Sequence, residues 1–532
     1  MRRLAALAIL GACGGAPAPP PAAAAKLVLD VPGGMLDPRG YATVEIVLHE
    51  DGSDIKRTVA VDASGNFDLD RIDPSTSVEV EATLRTSTGT AVGYGRTAVA
   101  AALASGAQIT IPVRRPIAYF AGMSSDPPAN MPSGPLHWTE MPATYSDLSA
   151  GTNLDGQSQV GSNVVLIVAA GPSLYMITQA AMDPTGVLTG AAKLMPISMT
   201  DHSVGAVMPG MVSGAVSDGA GSDDGSALVI GTSTELFAID TTTGMARVLA
   251  DGSFSRVAIL GSETGELTAV AIKNRGAGTC VTGAELWWAP ITGAAAGPAP
   301  GSAKMIATGG FSDIATDRGR AYYVDACKGE LGEVTASGAQ MLRTLPGVGG
   351  AAGSATGKPT MLAVSGGQAY VGVEAPPASA TAPATASVLV APLATGDAPH
   401  ALWSEGAQQV IQVVSVPDVE RLLSASSVAF NHLEVGAGGD YVALTTSAHF
   451  HGAEIDEAGF PDTTMDIEEL RVFAAATGGA VQRYRSWCDG TFITGAGLFG
   501  DWRCAAAAGQ STPATAALNH HIASMTFLFG KK

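Results

Sequence analysis

From Lys26 to about Val113 apolar and polar positions alternate along the chain. Val44, Ile46 and Leu48 fall on one side of an extended backbone, as do Val59 and Val61, Phe67 and Leu69, and Val78, Val80, Ala82 and Leu84, because successive side chains of a strand point to opposite faces. Turn signals at Asp51-Gly52, Ser64-Gly65 and Asp73-Pro74 separate these runs, which predicts an antiparallel β-sandwich of about seven strands over 26–113. Past Arg114-Arg115-Pro116 a looser repeat begins, with a period of roughly 45 to 60 residues and four short strands per unit. Its recurring piece is a Glu-Leu, or an equivalent pair, opening a strand that ends in a Thr-Gly turn. Copies are Glu235-Leu236 with Thr243-Gly244, Glu285-Leu286 with Thr292-Gly293, and Glu330-Leu331 with a Ser337-Gly338 variant. Val388-Leu389 with Thr395-Gly396 and Glu469-Leu470 with Thr477-Gly478 continue the series, and Leu174 with Thr185-Gly186 is an earlier copy.

An apolar run precedes each copy: VVLIVAAG, SALVIGT, LTAVAIK, RAYYVDA, QAYVGV and DYVALTT. One four-stranded sheet cannot bury both faces, but a ring of such sheets can. The fold class is therefore all-β, with the N-terminal sandwich followed over 116–532 by a six- or seven-bladed β-propeller. Met525–Gly530 is expected to pair with the stretch starting at Ile117 and close the ring. Pro346–Lys358 and Pro376–Pro383 read as flexible inserts, and Ala407–Val428 as the place for one short helix.

The first residues carry a different pattern. Arg2 and Arg3 form a positive start, Leu4–Leu10 an apolar run too short to span a bilayer, and Leu10-Gly11-Ala12-Cys13 resembles a bacterial lipobox. Residues 1–12 are thus expected to be a signal peptide, with Cys13 lipidated by palmitate-type acyl chains and the protein held on a membrane. Gly14 after the cysteine resembles outer-membrane rather than inner-membrane lipoproteins. Residues 13–25, rich in proline and alanine, form a tether. Without Arg2 and Arg3 the chain keeps 27 basic residues against 48 acidic ones, which argues against nucleic acid as a partner. Cys280, Cys327, Cys488 and Cys504 remain, an even number suited to two disulfides in an exported chain. Cys280 and Cys327 each follow the second strand of neighbouring repeats, which pairs them on one face and leaves Cys488 to pair with Cys504.

Two family resemblances rest on short phrases. GNFDLDRIDPSTSVEVEATL, Gly65–Leu84, resembles carboxypeptidase-regulatory-like or prealbumin-like sandwiches of secreted proteins, which implies a spacer or adhesion unit. YVDA at Tyr323–Ala326, FAID at Phe237–Asp240 and TTTG at Thr241–Gly244 resemble YVTN-type and quinoprotein-like propellers.

Chemistry is sparse. His449 and His451 flank Phe450, and on an extended chain residues i and i+2 share a side, so both imidazoles reach one zinc or similar divalent ion if Glu454 or Asp456 completes the site. An exposed polar loop explains the same residues without a metal, and His520-His521 would join only if ring closure brings them near. Asp218, Asp223 and Asp224 lack calcium-loop spacing, and an Asp-Gly hairpin turn accounts for them. No G-x-S-x-G occurs, and GSATGKPT fails as a phosphate loop. No catalytic residue is assigned. The expected function is a membrane-anchored, non-enzymatic binding or scaffolding lipoprotein of the bacterial cell envelope, with a protein, a glycan or a small ligand as partner on the propeller face and no cofactor. A metal-assisted hydrolase or lyase on that face is the alternative, and a structural surface or adhesion protein is the third reading.

Overall fold

The computed structural model describes residues 26–30, 42–50, 53–60, 78–85, 91–99, 108–114, 117–124, 136–140, 146–147, 156–158, 164–171, 173–178 and 190–197. It further describes 203–261, 266–275, 280–291, 303–317, 319–349, 356–377, 384–394, 397–406, 410–415, 419–436, 441–452, 464–475, 478, 480–485, 492–494, 502–504 and 520–528. These residues are all-β, and the chain divides into two compact units, Met1–Ser87 with Gly95–Arg114 and Thr88–Tyr94 with Arg115–Lys532.

In the N-terminal unit the described strands join one six-stranded sheet, where the sequence led us to expect two facing layers. Thr43–Glu50 pairs antiparallel with both Ser53–Ala60 and Val78–Arg85, and the predicted inward residues Val44, Ile46, Val80, Ala82 and Leu84 are fully buried. Lys26–Asp30 pairs in parallel with Gln108–Arg114. That pairing draws the first and last strands onto one edge of the same sheet. Alternation reports which side chains are buried but not which strand is whose neighbour.

The larger unit holds six four-stranded sheets in a propeller arrangement. From inner to outer strand, blade 1 is His520–Leu528, Ile117–Ser124, Leu136–Glu140 and Gly156–Ser158. Blade 2 is Val164–Ala170, Ser173–Thr178, Ala192–Ile197 and Met211–Val212, and blade 3 is Val216–Gly221, Ala227–Thr232, Glu235–Asp240 and Ala246–Asp251. Blade 4 is Phe254–Gly261, Leu267–Lys273, Ala284–Ile291 and Lys304–Gly309. Blade 5 is Phe311–Asp317, Arg320–Asp325, Glu330–Thr335 and Gly338–Thr344, and blade 6 is Lys358–Ser365, Gln368–Ala375, Thr385–Pro392 and His400–Gly406. An eight-stranded long sheet follows, and its strand Val419–Gly436 packs between the inner strands of blades 6 and 1. Leu528 pairs with Ile117 and Met525 with Phe120, so the C-terminal strand closes the ring as its sequence predicts.

The core lies between sheets rather than within them. Leu166, Tyr175 and Ile177 of blade 2 pack on Leu228, Ile230 and Phe237 of blade 3, and Leu236, Ala238 and Val229 of blade 3 pack on Phe254, Val257 and Ala269 of blade 4. Burial at roughly 25 cal/mol per Å² of apolar surface therefore rewards the ring and not the single blade. Two expectations fail here. Ala407–Val428 contains no described helix but a hairpin, Val410–Ser415 against Val419–Gly436, because the β-branched run Val410, Ile411, Val413 and Val414 finds an extended partner. Leu174 also opens the second strand of its blade, whereas Leu236, Leu286 and Leu331 stand in third strands, so the earliest copy is out of phase by one strand.

Candidate functional site

The inner strands of the six blades each carry a β-bulge near their start, and the strand Val419–Gly436 carries two, at Ser426 and Asn431. Each skips one residue in the register with the second strand: Ala523, Val165, Ser217, Ser255, Ser312, Thr360 and Asn431 in turn around the ring. A bulge bends its strand and re-aims the next side chain. The residues that follow, Leu166, Asp218, Arg256, Asp313, Met361 and His432, line one layer of a central cavity of about 260 Å³. Two positions further on, Val168, Ala220, Ala258, Ala315, Ala363 and Glu434 line the next layer.

The bulged hydroxyls clasp blade to blade. Ser217 Oγ donates to the Phe254 carbonyl at 2.5 Å and Ser312 Oγ to the Pro359 carbonyl at 2.7 Å. The carboxylates beside them do the same, with Val257 N–H donating to Asp218 Oδ2 at 2.8 Å and Leu362 N–H to Asp313 Oδ2 at 2.7 Å. Blade 4 substitutes Arg256, whose Nε lies 3.1 Å from Asp313 Oδ1. Burial pushes the Asp218 carboxyl up to about 6, against the opposing pull of Arg256 and the Val257 N–H. Protein surrounds it on every side but the cavity, through which it is still partly reached by solvent. Asp313 is raised for the same reason, opposed by Arg256 and the Leu362 N–H. Glu374, buried and accepting from Phe430 N–H at 2.7 Å and Thr360 Oγ1 at 2.9 Å, is raised too. Burial lowers the Arg275 guanidinium and repulsion from Arg256 adds to it, while Asp313, Glu374 and Asp218 act the other way.

Cys280 and Cys327 are disulfide-bonded, with Cα atoms 4.9 Å apart, as their equivalent positions predict. The bond sits at the end of the blades where the inner strands begin, since Asp325, two residues before Cys327, pairs with Phe311 at the start of blade 5's inner strand. Asp325 builds that turn by accepting from the Cys327 and Lys328 N–H groups, both at 2.9 Å. Gly310 is required beside it, because a Cβ there would stand 2.5 Å from both Cys327 Sγ and Asp325 Oδ1.

His449 and His451 lie on the strand Tyr441–Gly452, not in the loop after it, in register with Ser427 and Ser424. Those positions precede the bulge at Asn431, so the H-x-H backbone extends the long sheet on the side where the inner strands begin. His520 and His521 precede blade 1's bulge on the same side. Glu454, Asp456, Cys13 and Cys488 lie outside the described residues, while Cys504 pairs by backbone with Phe492. Among the described residues no group of three or more His, Cys, Asp or Glu is placed to hold a metal ion, and no helix is long and apolar enough to cross a membrane.

The Asp-Gly turn reading holds for Asp224, whose Oδ1 accepts from Ser226 N–H at 2.9 Å. It fails for Asp218, which stands in an inner strand facing the cavity. The sequence did carry a signal for the ring. Val-Ser-Asp at 216–218, Phe-Ser-Arg at 254–256, Phe-Ser-Asp at 311–313 and Phe-Asn-His at 430–432 share one form, an apolar residue, a small polar residue and then a variable one.

No protein-family model matches the chain, and no curated protein matches it in sequence. Solved structures do match. A candidate 6-phosphogluconolactonase of Bacteroides uniformis is 10% identical over 70% of this chain and 100% of its own, with a TM-score of 0.38. The periplasmic gluconolactonase PpgL of Pseudomonas aeruginosa is 12% identical over 69% and 95%, with a TM-score of 0.37. A chain of the nidogen/laminin complex is 11% identical over 52% and 89%, with a TM-score of 0.29. At such identities function is read from the residues of this chain.

Proposed function

We propose that the chain is a lipid-anchored, non-enzymatic binding protein of the bacterial cell envelope that takes a small ligand in the channel of its propeller. The carrying observation is the Asp218–Arg256–Asp313 arc. Three adjacent blades place charged groups in one layer, and both carboxylates are fixed by N–H groups of the next blade, so their positions do not depend on a ligand. Groups held in advance lose little freedom when a ligand arrives. The disulfide ties two loops of neighbouring blades together, and concave surfaces with few convergent polar groups are where ligands bind. The lipobox supports the anchor. Outer-membrane attachment follows from Gly14, and a protein or glycan partner fits the same face.

Two measurements test this reading. A Cys13→Ser variant is expected to leave the membrane fraction, and full membrane retention of that variant overturns the anchor. In a thermal-shift screen of small solutes, a stabilising compound should lose its effect in Asp313→Asn, which keeps an acceptor for Leu362 N–H but removes the charge. A metal-assisted hydrolase or lyase is the second reading, favoured by the His449 and His451 backbone sharing with His520 and His521 the side where the inner strands begin. It requires near-stoichiometric zinc in purified protein, lost when both histidines become alanine.

A further inference from the structure

We infer that the long sheet carries a site for one zinc-type divalent ion, made of His449, His451 and Asp466. The inference rests on the metal reading above for the presence of an ion, needs no catalysis, and is independent of ligand binding in the channel. Its basis is the register of three strands. Tyr441–Gly452 pairs without a bulge with Thr464–Ala474, so that His449 stands opposite Asp466 and His451 opposite Thr464. On the other side of the same strand, His449 stands opposite Ser427 and His451 opposite Ser424. Residues directly opposite in an antiparallel pair share a face, with Cβ atoms about 4.5–5.5 Å apart, and residues i and i+2 share one too. One face of the sheet therefore carries His449, His451 and Asp466, and one step further Glu468, opposite Ser447. The placement is one of backbone register: the side chains of residues 447–452 and 464–470 lie outside the described ones, to which the absence of a metal-holding group noted above applies.

The two faces differ in kind. Phe450 stands across from Met465 and Ala448 from Ile467, which continues the row of Val442 and Leu444 that packs in one core with Tyr370 and Val388 of blade 6. A slip of one residue would put this apolar row on the polar face, so the pattern itself specifies the register. Every histidine and carboxylate of 447–451 and 464–468 falls on the face away from that row. Two imidazoles and a carboxylate are a donor set for zinc and similar ions, with a fourth position left for water or Glu468. A simple histidine–aspartate pair would account for His449 and leave His451 unexplained. Glu454 and Asp456 come after the strand ends at Gly452, whereas the sheet ladder holds Asp466 in register with the histidines. Donors on a ladder are placed more precisely than donors on a loop. The net charge of −19 favours a cation as well.

Chelator-competition titration with zinc tests the inference on full-length protein that has first been stripped of metal. One equivalent is expected to bind. Changing His449 and His451 together to alanine should lower the affinity at least a hundredfold and Asp466→Asn at least tenfold, while Glu454→Gln with Asp456→Asn leaves it unchanged. Asp466→His supplies a different donor at the same register position and should restore tight binding, which a merely structural role for Asp466 would not allow; it also serves if Asp466→Asn fails to fold. Each metal-free variant should melt as the metal-free native protein does and lose only the rise in Tm that zinc gives. Zinc affinity that is indifferent to Asp466→Asn, or that Asp466→His abolishes, overturns the inference. If affinity falls instead with Glu454→Gln and Asp456→Asn, the metal reading stands with a different donor. If the native protein binds no zinc, both fall and the channel reading is untouched.

Discussion

Two layers of the same channel, two residues apart along every inner strand, have been filled in opposite ways. The layer after the bulges holds Leu166, Asp218, Arg256, Asp313, Met361 and His432, five residue types at six positions of one repeated scaffold. The layer beyond it is alanine in four consecutive blades, at Ala220, Ala258, Ala315 and Ala363. One layer supplies chemistry and the other supplies room. The bulge makes the division possible, because it fixes where each strand turns its next side chain while leaving that side chain's identity free.

The comparison is broken most severely at its charged layer. Arg256→Met leaves Asp313 without its partner and Asp218 without its nearest cation, so unfolding free energy measured in urea is expected to fall by about 3 kcal/mol. The Asp218 carboxyl should rise further above 6 in that variant, observable by NMR titration, since Arg256 is what holds it down.

Asp218→Asn gives a smaller effect of opposite sign. A carboxyl raised in the folded state binds more protons there than in the unfolded chain, so its contribution is favourable at low pH and is lost as pH rises from about 4 through about 6. The asparagine variant still accepts the Val257 N–H and should flatten that part of the stability profile. At pH 7 it is expected to gain on the order of 1 kcal/mol, less than two pKa units convert to, because channel water screens the charge. A steeper loss of stability between pH 4 and 6 in the variant than in the native chain would contradict this.

Least affected should be the alanine layer. Ala315 lines the cavity and is also packed, partly buried, on the core between blades 5 and 6, so Ala315→Val is expected to cost no more than about 1 kcal/mol, while affinity for any channel ligand drops severalfold. A large destabilisation would show that alanine is needed there for packing rather than for space.

Much of this architecture was legible in the chain because repeats advertise themselves. Each copy must bury the same two faces, so apolar runs recur, and equivalent positions in adjacent copies, Cys280 and Cys327, become neighbours by the repeat's own geometry. The charged arc was harder to see. Asp218 sits in Ser-Asp-Gly, locally indistinguishable from a turn, and only its register against Ala227–Thr232 shows it to be strand. Val410–Ser415 is ambiguous for a related reason, since without its partner an apolar β-branched run of that length fixes no single structure.

By itself the sequence determined the all-β class, the ring of repeated blades, its closure between Ile117 and Leu528, and the Cys280–Cys327 bond. All of these follow from periodicity, which is local and is repeated many times over. The tertiary structure alone decided that Asp218, Arg256 and Asp313 line one cavity. They come from blades whose sequence separations say nothing of distance, and convergence on one axis is a property of the closed ring, written in no single repeat.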